Sequence, residues 1–215
     1  MLLKKLFKGR KGIVGVEAAI VLIAFLIIAA ALSYVVINMG FYTTQKTKET
    51  MQTGLDESLT ALQLDGVVTA KTNKSSSHIL YILVPVKLSA GRGSVDLGSS
   101  SVVVSVYLPN ATLMNIYRGA KTTTETTWDK LITTLNLSDN EAKFAIYNDN
   151  GYNNTVLESN EKAFLLIHLD SSNEEGMLGE YETIKIEVRT AKGAALTVVR
   201  TAPGGLNRDC FVDLG

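Results

Sequence analysis

Few residues in this chain are of types that do covalent chemistry. There are two histidines, His78 and His168, and one cysteine, Cys210. Both histidines fall inside apolar runs that read as strands, so packing is the expected role for each. A catalytic base needs a nucleophile, acid or metal partner at a defined spacing, and no G-x-S-x-G, HExxH, P-loop or paired-cysteine pattern accompanies them. The chain therefore reads as a non-enzyme without a cofactor. Oxygen-rich turns at residues 170–176 and 148–151 would suit a hard cation such as calcium, yet neither fits the EF-hand loop. A hairpin turn built on Asn-Gly is the simpler use of the second. One cysteine excludes an intrachain disulfide and leaves Cys210 as a packed thiol or a link between two chains.

A different chemistry is written more clearly. Asn73-Lys-Ser, Asn110-Ala-Thr, Asn136-Leu-Ser and Asn153-Asn-Thr are acceptor patterns for N-linked glycans, and each lies at an expected loop. Asn110 and Asn153 carry threonine in the third position, usually the better acceptor context. Glycosylation presupposes that these loops lie outside the cell. The beginning of the chain supplies the reason why they would.

Residues 1–12 hold five basic side chains, Lys4, Lys5, Lys8, Arg10 and Lys11, and no acid. Gly12 and Ile13 follow, then Gly15 and Glu17, and then residues 18–37, twenty positions without a charge. Twenty helical residues span roughly 30 Å, enough to cross a bilayer core. No face of this segment is polar, so it requires burial all round, in lipid or in protein. The basic run keeps its own side cytoplasmic, which places everything after the helix outside. An ordinary secretory signal has a short apolar region closed by small residues. Here the apolar stretch is too long and has no such closure before Asn38. Glu17 is the one charge beside the apolar run, and a carboxylate there either favours its own helix N-terminus or serves a partner.

A basic segment, a glycine, and an apolar helix with an acid at its fifth position resemble the precursors of type IV pilin-like proteins. Within that group, Arg10-Lys11-Gly12 followed by Ile13-Val-Gly15 resembles the archaeal flagellins, or archaellins. Ile20-Val-Leu-Ile-Ala-Phe-Leu-Ile and Tyr34-Val-Val-Ile-Asn-Met-Gly-Phe41 are similar to the same family's helix. Near the other end, Lys192-Gly-Ala-Ala-Leu-Thr-Val-Val-Arg-Thr-Ala-Pro203 is similar too. The resemblance implies a class III signal peptide, residues 1–12, cut between Gly12 and Ile13 by a prepilin/preflagellin-type membrane peptidase, with the helix kept in the mature chain. It implies a precursor inserted in the cytoplasmic membrane, and a mature subunit in an extracellular surface filament used for swimming. The partners would be other copies of the chain and the archaellum assembly and motor complex. In pilin-like families the new amino group at position 13 is expected near a neighbour's fifth-position acid, here Glu17, so that the charge sets register. N-glycosylation is also common in the family.

Losing residues 1–12 leaves sixteen basic against twenty-one acidic side chains, a net charge of −5. A mildly acidic surface excludes the basic stripe of a nucleic-acid binder. Past residue 37 the helix is expected to continue through Gly40. Met51, Leu55, Leu59 and Leu62 recur at helical spacing and would dock under a globular domain, and Gly66 would cap a helix covering residues 13–65. From His78 the period changes to two. Strands are expected at residues 78–88, 101–108, 143–147, 163–169, 183–189 and 194–200, with Pro85 at an edge or a bulge. Residues 122–136, around Trp128, read as a short helix or two ragged strands. The fold class is α+β: a long N-terminal hydrophobic helix, then an antiparallel β-sandwich or barrel, Ig-like, over residues 66–215.

These features suit a structural subunit of a motility filament. The alternatives are an adhesive type IV-like pilin and a membrane-anchored β-ectodomain that binds a ligand. A simple anchor needs neither Gly12 nor Glu17. Mass spectrometry of assembled filaments is expected to find a mature chain starting at Ile13; retention of residues 1–12 in assembled material would refute that processing.

Overall fold

The computed structural model describes residues 11–58, 61–90, 93–147 and 154–215, with side chains from residue 15 onward. In chain order the elements are α1 (Lys11–Ser58), β1 (Leu62–Leu64), β2 (Thr69–Thr72), β3 (Ile79–Leu88), β4 (Ser94–Asp96), β5 (Val102–Tyr107), β6 (Thr112–Leu113), β7 (Tyr117–Thr122), α2 (Trp128–Leu135), β8 (Glu141–Tyr147), β9 (Val156–Glu158), β10 (Lys162–His168), a 3-10 turn (Glu174–Gly176), β11 (Thr183–Thr190), β12 (Leu196–Thr201) and β13 (Phe211–Asp213). They form two compact units that divide between Gly54 and Leu55.

Helix α1 has 48 residues and so is about 72 Å long by helix rise, and the division between the units falls in its last turn. Leucine, isoleucine and alanine favour the helix, and Gly40 lies inside it without ending it. Its polar half is rich in threonine, a weak helix former because the hydroxyl competes for backbone. That competition is resolved locally. Thr43, Thr44, Thr47, Thr50 and Thr53 each donate a hydroxyl hydrogen to the carbonyl four residues back, at 2.8–2.9 Å.

The helix stops at Ser58, short of the expected residue 65. Leu62 therefore sits on a strand, not on the helical stripe with Met51 and Leu55, and Leu59 lies outside the described residues. β1 pairs antiparallel with β3, Leu62 opposite Leu88 and Leu64 opposite Val86. Ala61 and Leu62 are buried in the core there. A ladder plus core burial outweighs one more helical turn. Gly66, expected as a helix cap, instead takes φ +141° in the turn from β1 to β2.

The second unit is a sandwich. One sheet runs β13-β2-β3-β10-β8-β7 with β1 also on β3; the other runs β12-β11-β5-β6; β4 and β9 form a separate ribbon. Pairing is antiparallel except for β7 beside β8. Alternation puts Ile82, Val84 and Val86 of β3, Leu165 and Ile167 of β10, and Phe144 of β8 on the inner face of the large sheet. Register sets Leu165 opposite both Val84 and Phe144. Val104, Val106, Ile184, Ile186 and Val188 of the smaller sheet complete the same core.

The large sheet is covered on its other face as well. Residues 122–136 resolve into the end of β7 and the helix α2. Leu131 and Leu135 of α2 pack on Ala145 and Leu166, with Tyr81, Leu83, Tyr147 and Phe164 around them. That explains the uninterrupted apolar run of β10: Leu165 faces one layer and Leu166 the other. Pro85 sits within β3, where its own carbonyl accepts from the Asp65 N–H at 3.0 Å. β2 pairs with β3 only as far as Leu83, and β1 begins at Val86. The missing proline donor thus falls at the seam between two partner strands.

Asp65 marks the end of β1. Its carboxylate lies 2.8 Å from Lys87 Nζ of β3 and 2.9 Å from Lys162 Nζ of β10. These two lysines hold the Asp65 carboxyl below its ordinary value of 3.8. A depressed folded pKa contributes stability that is complete above the unfolded pKa and lost as pH falls through the folded one. Asp65→Asn is expected to lower the melting temperature at pH 7, with the difference from wild type closing below about pH 4. An unchanged difference at pH 3 would show that the pair is not the source.

Candidate assembly surface

The residues that could act are spread over a surface, not gathered in a cleft. On α1 the large apolar side chains from Val16 to Tyr42 are 52–73% exposed. Glu17 is exposed at the start of this stretch and makes no ion pair with a described residue. Gly15 lies two residues earlier with open space where a Cβ would stand. Gly12 and Ile13 fall within α1, while Lys4, Lys5, Lys8 and Arg10 lie outside the described residues. Met51 and Leu55 are also exposed on the helix. The ion pair of Lys46 with Glu49 at 3.1 Å lies in the polar half.

No catalytic arrangement forms among the described residues. His168 is buried in β10, its ring stacked on Tyr81 at a centroid distance of 4.4 Å. Its Nδ1 faces the Leu137 carbonyl at 3.2 Å and its Nε2 lies 3.3 Å from Asp139 Oδ1. Ser171 Oγ donates to Asp139, at 2.8–2.9 Å, and not toward the imidazole. A hydroxyl bonded to the carboxylate instead of the base gives no activated nucleophile. The three groups tie the turn before β8 to the loop after β10.

The oxygen-rich turns are used structurally. Asp170 accepts from the Ser172 N–H at 2.8 Å and from Asn173 Nδ2 at 3.4 Å, and these bonds hold its carboxyl below the usual range. No cluster of three metal-ligating side chains occurs among the described residues. The turn at residues 148–151 lies outside them. Cys210 is a half-buried free thiol whose N–H donates to Thr72 Oγ1 at 2.8 Å.

Features that the sequence patterns do not reveal emerge from the fold. Lys71, buried on β2, reaches Asp129 of α2 at 2.7 Å and Asp209 at 3.6 Å, and lies over the Phe211 ring of β13. It pins the last strand and the helix to the sheet. Trp128, Tyr147, Phe164, Leu83 and Leu131 line a cleft of about 360 Å³ on the outer face of the large sheet.

The archaeal-type flagellin family model matches residues 12–200. The chain belongs to the archaeal-type flagellin family. It is 44% identical to probable flagellin 1 of Aeropyrum pernix over 97% of this chain and 100% of that protein. With probable flagellin 2 of Archaeoglobus fulgidus it shares 32% identity over 97% of this chain and 98% of the other. The solved archaeal flagellum of Methanospirillum hungatei strain JF1 superimposes with a TM-score of 0.52 at 25% identity, covering 89% of this chain and 94% of that one. The crystal structure of flagellin FlaB1 from Methanocaldococcus jannaschii shares the fold, with a TM-score of 0.57 at 16% identity, 71% of this chain and 95% of that one. This flagellin is a structural subunit of the archaellum, an extracellular surface filament built by self-assembly.

Among the sequons, Asn110 is exposed in the turn from β5 to β6, and Asn136 is exposed in the left-handed C-cap of α2 with φ 43°. Asn73 is half-buried: its Oδ1 accepts from the Ser75 N–H at 3.2 Å and its Nδ2 lies 3.6 Å from Met177 Sδ. Asn153 lies outside the described residues. In filaments from glycosylating cells, Asn110→Gln is expected to lower the subunit mass by one glycan and Asn73→Gln to leave the glycan mass unchanged. Loss of a glycan with Asn73→Gln would overturn the distinction.

Proposed function

We propose that this flagellin is made as a precursor held in the cytoplasmic membrane by α1, is cut between Gly12 and Ile13 by a prepilin/preflagellin-type peptidase, and then passes from lipid to a bundle of like helices in a rotating filament. One observation carries the reading: the apolar surface of α1 is uncovered in the single chain. Lipid and neighbouring helices both satisfy it, so the same surface serves storage in the membrane and the filament core. Burial between helices is favourable by about 25 cal/mol per Å² of apolar area. The assembly and motor complex would supply extraction and torque. The five bonded threonines fit the same scheme, since their hydroxyl donors are satisfied within the helix and need no water.

Glu17 gives this assembly its register. A lone carboxylate in an apolar bundle is costly, several kcal/mol in ordinary cases, unless a cation meets it. Cleavage before Ile13 creates that cation, the amino group of a neighbouring copy. Sliding a subunit along the bundle would leave both charges unpaired. With Glu17→Gln, precursor is expected to reach the membrane and be processed while filaments become sparse or short and swimming fails. Normal numbers of full-length filaments would leave Glu17 only its interaction with its own helix end, about 1 kcal/mol.

A further inference from the structure

Asn38 is the first amide side chain after the uncharged run of residues 18–37. On a helix its surface neighbours are the residues three and four positions away. Those are Tyr34, Val35, Phe41 and Tyr42, which are 70%, 52%, 65% and 69% exposed. Ile37 and Met39 beside it are exposed as well, so apolar side chains stand on every side of α1 at this level. Whatever covers them covers Asn38 too. The polar groups just above are satisfied within the helix, since Thr43 and Thr44 close their hydroxyls on the Met39 and Gly40 carbonyls at 2.8 Å. Among the described residues, none bonds the Asn38 amide or the hydroxyls of Tyr34 and Tyr42. Exposed aromatics of the β-unit differ in this respect. Tyr181 is held in a left-handed turn at φ +59° by the bond of its N–H to the Ala202 carbonyl, with its hydroxyl end against Gly204 of its own chain. Phe211 lies against Trp128 at 5.6 Å.

The two settings proposed for α1 treat the Asn38 amide differently. Residues 18–37 match a bilayer core of roughly 30 Å, so in the precursor Asn38 stands at its outer edge, among headgroups and water. Helical side chains lean toward the N-terminus, which brings the rings of Phe41 and Tyr42 back to the same level, where aromatic belts form. Between packed helices the water is gone, and a buried amide without a partner is costly. Equivalent copies bring the complement with them: an amide offers N–H donors and a carbonyl acceptor, and a phenol both donates and accepts.

We propose that in the filament the Asn38 amide bonds the hydroxyl of Tyr34 or Tyr42 of an adjacent copy, and that this pair selects one register among the packings the apolar surface alone would permit. The inference rests on the filament reading, in which the apolar surface of α1 is covered by other copies; Tyr34 to Tyr42 continue that surface without a break. Leucine, isoleucine and valine bury similar area at many staggers, whereas a single buried asparagine is satisfied at few, which is how one asparagine fixes register in coiled coils. Glu17 lies about 32 Å away by helix rise, so the two constraints act at separate ends of the apolar run.

The test uses cells expressing the full chain, with membrane insertion and processing followed by immunoblot and filaments by electron cryomicroscopy. Asn38→Leu keeps the size and removes the amide. Its precursor is expected to be inserted and processed as in wild type and to form filaments in normal number, but some or all of them are expected to lose the wild-type helical symmetry. A chain carrying both Tyr34→Phe and Tyr42→Phe keeps the rings, removes the hydroxyls, and is expected to show the same loss; it decides the matter where Asn38→Leu is not processed. Filaments that all keep the wild-type symmetry in either variant overturn the proposal. So does processed Asn38→Leu subunit that forms no filament, since the residue would then serve cohesion and not register. Absence of filaments from the wild-type chain would overturn the filament reading and this inference with it, a result distinct from that of any variant.

Discussion

The protein depends on an apolar helix surface that one copy leaves in contact with solvent. Isoleucine, leucine, valine and phenylalanine cover every side of α1 through its first half, and a helix with no polar face has no stable single-chain arrangement in water. In the proposed scheme that surface is covered in turn by lipid and by a bundle of like helices. Both supply an apolar environment, and neither demands a change in α1 itself. The helix is intrinsically hydrogen-bonded, so moving it between them exposes no backbone polar group.

The β-unit meets a different requirement. It stays folded without a disulfide, since the only cysteine is free. Its answer is layering. The large sheet is apolar on both faces, with the smaller sheet on one and α2 on the other. Lys71 and Asp65 add ionic ties, Lys71 of β2 to Asp129 of α2 and to Asp209 before the last strand, and Asp65 after β1 to Lys87 of β3 and Lys162 of β10. Lys87 and Lys162 keep much of their exposure, whereas Lys71 is buried and its charge is met by Asp129 and Asp209.

Division into two units also divides the work. In the proposed filament the helix would supply cohesion that is nearly non-directional, with Glu17 proposed as the charge that sets register. The β-unit supplies directional features: a fixed aromatic, a cleft and exposed asparagines on turns. None of them requires a catalytic centre, and the hydroxyl, imidazole and carboxylate that come together near His168 are connected in an order that stabilises loops.

Sequence alone determined the parts of this protein governed by local periodicity. The unbroken apolar run gave α1, because burial on all sides needs no knowledge of a partner. Short runs rich in β-branched and apolar residues between turns gave β3, β5, β8, β10 and β12, and clean alternation gave β11. The end of the helix was decided only by tertiary structure. Leu55, Leu59 and Leu62 carry helical spacing, but Leu62 with Leu64 equally carries strand spacing, and pairing with Leu88 and Val86 of β3 settles it. Strands of two or three residues, such as β6 and β13, are too short for any period to register. The helix α2 was ambiguous because residues 122–127 are threonine-rich and favour no element, and the apolar outer face of the large sheet is what gathers Leu131 and Leu135. Tyr181 in its left-handed turn and the cleft built from α2, β8 and β10 carry no sequence signature. One arises from hydrogen bonds to Ala202 and the room left by Gly204, and the other from residues spread between positions 83 and 164, so only the folded chain brings them into being.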